Sequence, residues 1–146
     1  MTSTEDGLEG PGLWDAHLEV EAERVNDWLV IRAGGDVDFV TAPQLYERIK
    51  DDVESAKSGA SGVRRIVLDL GDVRFIDSSG LGLIVKLWKA ARAYGGDFGI
   101  ARAKPHCVML MERTGLAGRI VVAPTVEAAA TRLLPGKAAA RALATG

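Results

Sequence analysis

Apolar and polar positions alternate from Ala16 to Ala22 (Ala-His-Leu-Glu-Val-Glu-Ala), the period-two pattern of a strand with one face in solvent. Beyond a polar turn at Asn26 and Asp27, the run from Trp28 to Ala33 predicts a second strand, and the short connection makes the pair a hairpin. Gly34 and Gly35 punctuate the chain. Leu45, Ile49, Val53 and Ala56 then recur every three or four positions and predict a helix with one buried face. Thr41 is its expected N-cap, with Pro43 tolerated in the first turn. Residues 58–62 end that helix, and Val63 to Leu70 is a β-branched run that reads as a central strand buried on both faces. Residues 71–78 read as a loop, and Gly80 to Tyr94 as a helix. Leu81, Ile84, Val85, Trp88 and Ala91 are its apolar positions, with Leu83 and Leu87 alongside, and Gly95-Gly96 closes it. A short strand at Phe98 to Ala101, a helix at Pro105 to Thr114 and another short strand at Ile120 to Ala123 follow. A last helix from Thr125 through Leu134 stops at Pro135-Gly136.

Strands alternating with helices after an antiparallel hairpin predict parallel pairings with right-handed crossovers. The expected fold is therefore α/β: one domain at residues 16–134, with a mixed β-sheet, an N-terminal antiparallel hairpin and about four helices. Residues 1–15 read as a flexible arm and 135–146 as a flexible Ala-rich tail.

Composition narrows what such a domain does. The 146 residues carry 18 Lys+Arg against 20 Asp+Glu, too balanced to present a footprint for nucleic acid, so no direct DNA contact is expected. No apolar run approaches the roughly 18 residues that span a bilayer. Acids from Glu5 to Glu23 precede the first basic residue, Arg24, an opening unlike a signal or transit peptide, and a cytoplasmic location is expected. A single cysteine, Cys107, excludes a disulfide framework and reads as a small buried hydrophobe. His17 and His106 have no ligand set around them, so neither a metal nor a cofactor is expected.

The candidate chemistry lies between the central strand and the helix after it, in Asp77-Ser78-Ser79-Gly80-Leu81-Gly82-Leu83. Ser or Asp at a helix start accepts hydrogen bonds from the first unpaired N–H groups. The same N–H groups favour an added anion by roughly 0.3–2 kcal/mol. Gly80 and Gly82 cost the helix about 0.8–1 kcal/mol each, and close approach of another molecule's backbone is one compensation.

Gly35 to Leu45 (Gly-Asp-Val-Asp-Phe-Val-Thr-Ala-Pro-Gln-Leu), Ile66 to Leu70 (Ile-Val-Leu-Asp-Leu) and Phe75 to Ile84 (Phe-Ile-Asp-Ser-Ser-Gly-Leu-Gly-Leu-Ile) together resemble the bacterial anti-sigma factor antagonists. These are stand-alone members of the STAS domain group, and the resemblance runs over about residues 16–134. It implies a single STAS domain whose unphosphorylated form binds an anti-sigma factor serine kinase and frees the sigma factor. It implies phosphorylation of the serine that follows the motif aspartate, here Ser78, with a serine phosphatase restoring the free hydroxyl. Asp38 and Asp77 match the family's two aspartates near the acceptor. Thr41, Ser79, Gly80, Leu81, Gly82 and Leu83 are expected to support the acceptor or contribute to the partner surface.

The residues explain how such a switch works. A phosphate on Ser78 adds about −1.5 to −2 charges beside Asp77. A helix terminus tolerates that charge, whereas a protein packed over the same turn must bury or repel it, and like-charge juxtaposition costs several kcal/mol.

Other readings are weaker. A serine nucleophile is disfavoured because Asp-Ser-Ser-Gly is not a Gly-x-Ser-x-Gly elbow and neither histidine has a place as its base. No Walker-type phosphate loop is present. The chain is therefore not expected to be an enzyme. The alternative within the fold is a scaffold or sensor subunit of a stress-signalling assembly. Ser79 is the competing acceptor, Asp69 and Asp72 read as turn or surface groups, Trp88 as packing, and Arg74 as a solvated loop charge.

Overall fold

In the computed structural model, which describes residues 18–25, 27–57, 62–63, 65–93 and 96–133, five strands form one sheet whose spatial order follows their order in the chain. The expected arm and tail, residues 16 and 17 with His17, Asn26, residues 58–61, Tyr94, Gly95 and Leu134 lie outside the described residues. The elements are β1 (Leu18–Val25), β2 (Trp28–Val37), α1 (Thr41–Lys57), β3 (Arg65–Ile76), α2 (Ser78–Ala93), β4 (Asp97–Ala101), α3 (Pro105–Arg113), a 3-10 turn at Leu116–Gly118, β5 (Val121–Ala123) and α4 (Val126–Arg132).

The hairpin is present: β1 runs antiparallel to β2, from Leu18 opposite Gly35 to Val25 opposite Trp28. The pairs β2–β3, β3–β4 and β4–β5 are all parallel, as the alternation of strands and helices requires. Strand β3 is central, and its run from Ile66 to Leu70 is buried throughout. Ile66, Leu68 and Leu70 join one core with Leu45, Ile49 and Val53 of α1, Ile84 and Leu87 of α2, and Cys107 and Met111 of α3. Val67 points the other way, into a smaller core with Ala101, Ala123, Ala129 and Leu133 beside α4. Leu45, Ile49 and Val53 retain no exposure, so each contributes roughly 1.5–3 kcal/mol of burial to holding α1 on the sheet. Gly96 donates its N–H to the Ala91 carbonyl at 2.9 Å and closes α2, as its glycine predicts.

Two expectations are corrected. The segment after Leu70 is not a loop: β3 continues to Ile76 and β2 to Val37, with Gly34 opposite Asp72, Gly35 opposite Val73, Asp36 opposite Phe75 and Val37 opposite Ile76. Register shifts between Arg32 and Gly34 and between Gly35 and Asp36 absorb the irregularity, and Gly35 takes φ +96°, open to glycine. The glycines therefore mark a bulge inside a strand rather than its end. Asp69 is not a surface group either. It is 3% exposed, accepts the Gly71 N–H at 2.9 Å and faces Arg102 Nη1 at 3.3 Å and Arg32 Nε at 3.7 Å. A carboxylate inside a buried strand needs such partners.

The long β2 and β3 project past the ends of β4 and β5. Their tips deliver Asp38 and Asp77 to one end of the sheet, each one residue beyond the paired Val37 and Ile76.

Candidate functional site

Both turns at that end are capped by an aspartate. Asp77 Oδ1 accepts the Ser79 N–H at 2.8 Å and the Gly80 N–H at 3.2 Å, and its carbonyl accepts the Leu81 N–H at 3.0 Å. Asp77 is thus the N-cap of α2. Ser78 is the first residue of the helix, exposed, and its hydroxyl has no hydrogen-bond partner among the described residues. The two candidate caps have therefore separated: the aspartate secures the helix start, and the serine oxygen is left to solvent.

Asp38 does the same before α1. Its Oδ1 accepts the Val40 N–H at 2.9 Å and the Thr41 N–H at 3.0 Å, and its carbonyl accepts the Ala42 N–H at 2.8 Å. The expected N-cap at Thr41 is corrected accordingly, because Thr41 is already helical and fully buried. The Thr41 hydroxyl accepts the Asp38 N–H at 2.8 Å and donates to the Asp36 carbonyl at 2.6 Å, so residues 36, 38 and 41 lock into one reciprocal knot. The Thr41 N–H is the main influence holding the Asp38 carboxyl below the ordinary carboxylate range, with help from the Val40 N–H against an opposing effect of burial.

The two turns are tied together where the Asp77 N–H donates to the Val37 carbonyl at 3.2 Å. Gly80 sits against this junction. A Cβ built there would stand 2.4 Å from Ile76 Cγ1 and 2.7 Å from the Val37 oxygen. The close approach that Gly80 permits is made within the chain. Leu81 and Leu83 are likewise buried, at 8% and 5% exposure, and serve the core. Of the expected partner-facing residues after Ser79, Gly82 alone is exposed, and among the described residues a Cβ on it would meet nothing within 4 Å.

Arg74 lies on β3 with Nη2 3.4 Å from Asp36 Oδ1, an exposed ion pair rather than a loop charge. Trp88 packs partly buried on the main core with the Arg92 guanidinium 5.8 Å from its ring centre. Burial pushes the Cys107 thiol up to about 11.

The structure adds surface that the periodicity did not single out. Phe39 and Val40, between the two ends of the Asp38–Thr41 knot, are 79% and 56% exposed, and Phe75 at the tip of β3 is 49% exposed. Phe39 and Val40 fall out of phase with the Leu45–Ile49–Val53 stripe, which is the sequence signal for two apolar side chains facing solvent. Beside them a groove of about 480 Å³ runs between α1 and α2, floored by Ala42, Pro43 and Tyr46 and walled by Ser79, Gly82 and Leu83. Lys86 reaches across it, its Nζ 3.7 Å from the centre of the Tyr46 ring.

No group of three or more His, Cys, Asp or Glu among the described residues is placed to hold a metal ion, and no described helix is long and apolar enough to cross a membrane.

Residues 19–129 match the STAS domain. The chain is 27% identical over 100 residues to the anti-sigma F factor antagonist of Paenibacillus polymyxa, covering 68% of this chain and 81% of that protein. It is 27% identical over 100 residues to the anti-sigma-B factor antagonist of Bacillus subtilis, covering 68% and 85%. The crystal structure of an anti-sigma factor antagonist from Mycobacterium paratuberculosis superposes with a TM-score of 0.70 at 26% identity, covering 82% of this chain and 96% of that one.

Proposed function

The chain belongs to the STAS domain family, and from that premise we propose that it is an anti-sigma factor antagonist switched by phosphorylation of Ser78. In its unphosphorylated form it binds an anti-sigma factor that is also a serine kinase and thereby releases the sigma factor. The kinase transfers a phosphoryl group to Ser78 and a serine phosphatase removes it. The chain is a substrate and a ligand in this cycle rather than a catalyst, and it works in the cytoplasm without direct DNA contact. The names of its relatives support the antagonist reading.

The observation that carries the choice of Ser78 is its exposed hydroxyl at the first residue of α2, with the neighbouring cap satisfied by Asp77. An acceptor must lose its hydroxyl proton and accept a phosphoryl group without dismantling its helix. Asp77 meets that need because the Ser79 and Gly80 N–H groups stay bonded to it whatever happens to Ser78. The N-terminal dipole of a 16-residue helix accommodates the phosphate dianion in the free protein. A partner packed on the same turn would face that phosphate together with Asp77, and about 2.8 kcal/mol of repulsion suffices for a hundredfold loss of affinity. Thr41, buried inside its knot, supports the Asp38 turn and is not an acceptor in this reading.

The test is to isolate the chain with its partner from the native cell, add ATP and map the modified residue by mass spectrometry. Phosphate on Ser78, absent from the Ser78→Ala protein, is the expected result. Phosphate confined to Ser79, or a partner that binds no ATP, would replace this reading.

A further inference from the structure

We propose that the groove between α1 and α2 seats a segment of the anti-sigma factor that presents an apolar side chain next to a carboxylate. The inference rests on the antagonist reading and specifies how the partner is held away from the reacting hydroxyl.

Four observations converge on this groove. It is continuous with the acceptor turn, since Ser79, the neighbour of Ser78, forms part of its wall. A stable specific complex covers about 800 Å² on each partner, far more than one turn of helix around a hydroxyl provides. Phe39, at 79% exposure, lines the groove, and Val40 lies next to it in sequence, so exposed apolar surface near the acceptor continues in this direction.

Gly82 supplies the third argument. Gly80 is accounted for by Ile76 and the Val37 carbonyl, but among the described residues a Cβ on Gly82 would meet nothing within 4 Å beyond its own helix. A glycine in the second turn of α2 lowers helix propensity without serving the fold, and its missing side chain leaves the groove wall open to another chain's backbone.

The fourth is charge. Glu47, across the groove, is paired with Lys50 at 3.0 Å. Lys86 rests on the face of Tyr46 and has no carboxylate partner among the described residues. Of the two charged side chains lining the groove, Lys86 is the one without an opposite charge beside it, and a carboxylate on the occupant complements it. An ammonium held on an aromatic face is already oriented and loses little freedom on meeting that carboxylate.

The test uses the full chain and the purified anti-sigma factor serine kinase that phosphorylates it, titrated calorimetrically. Gly82→Gln fills the groove while favouring the helix, so its melting temperature should equal or exceed that of the unaltered chain while the dissociation constant rises about tenfold or more. Phe39→Ala should weaken binding to a similar degree. Lys86→Glu should weaken it and flatten its salt dependence, and Met109→Ala, exposed on α3, should leave it unchanged.

Binding by Gly82→Gln, Phe39→Ala and Lys86→Glu all within about twofold of the unaltered chain, with Ser78→Asp still defective, would overturn the groove and leave the antagonist reading standing. Failure of the unaltered chain to bind any such kinase would remove both.

Discussion

The backbone N–H of Asp77 donates to the carbonyl of Val37 at 3.2 Å, and this bond fixes the turn before α2 to the turn before α1. The same Val37 oxygen lies only 2.7 Å from where a Cβ on Gly80 would stand, and Ile76 Cγ1 only 2.4 Å. The acceptor turn is thus held by a contact between two strand ends that tolerates no side chain between them. Gly80→Ala should destabilise the protein by about 1–3 kcal/mol, the cost of overpacking exceeding the gain in helix propensity. Gly82→Ala, with open space around its Cβ, should stabilise by up to about 1 kcal/mol. Urea unfolding of the two variants measures the pair, and equal signs would show that the Val37 junction yields freely.

Ser78 makes no contribution to its own helix cap, so its replacement should leave stability within about 0.5 kcal/mol of the parent. Ser78→Ala should bind the anti-sigma factor as well as the unphosphorylated chain does and persist in the complex when ATP is added. Ser78→Asp should bind about tenfold or more weakly because it places a second carboxylate next to Asp77. Competition binding with and without ATP reads both outcomes. Tight binding by Ser78→Asp would show that charge at this position is not what excludes the partner.

The order and type of the elements are legible because the apolar periods are strong: Leu45, Ile49 and Val53 on α1 and the β-branched run of β3 leave little choice. The tips of β2 and β3 are not legible. Gly34, Gly35, Gly71 and Asp72 break the alternation, and only pairing with one another across the bulge makes them strands. At the site, Asp77-Ser78 is visible as a helix start, but which of the two caps is decided by the strand end that positions them. Asp38 and Thr41 are both capping types three residues apart, and their reciprocal bonds assign the cap to Asp38. Gly80 and Gly82 look alike in sequence and differ because tertiary neighbours crowd one of them. A lone acid in an apolar strand was the available sign of the buried Asp69, but its partner Arg102 lies 33 residues away.

That buried carboxylate gives a third prediction. Asp69 gathers two part-exposed arginines, Arg32 from β2 and Arg102 after β4, and also accepts the Gly71 N–H. Lys104 donates to the Gly71 carbonyl, and the Arg102 guanidinium lies in the space a Gly71 side chain would take. Arg102 holds φ +61° to reach it. Asp69→Ala should cost about 1–3 kcal/mol, through the unpaired Gly71 N–H and the lost anchor for Arg102. The arginines keep access to water, which limits the loss. Asp69→Asn, which still accepts the Gly71 N–H, should recover part of it. Guanidinium unfolding curves for the two variants distinguish the hydrogen bond from the charge.

Asp38 makes the capping energy of the other turn depend on pH. Its carboxyl is depressed chiefly by the Thr41 N–H, so the folded state binds a proton less readily than the unfolded chain, where aspartate titrates near about 3.9. Stability from this group is therefore fully present above that unfolded value and is lost as pH falls through the lower folded one. Asp38→Asn retains one acceptor oxygen but has no charge to protonate. It should be less stable than the parent at pH 7, and the gap between the two should narrow toward pH 3. Denaturant midpoints measured in parallel across that range isolate Asp38 from the remaining carboxylates, because those titrate alike in both proteins. A gap independent of pH would mean that the cap works through shape alone, with the Thr41 knot indifferent to the charge it encloses.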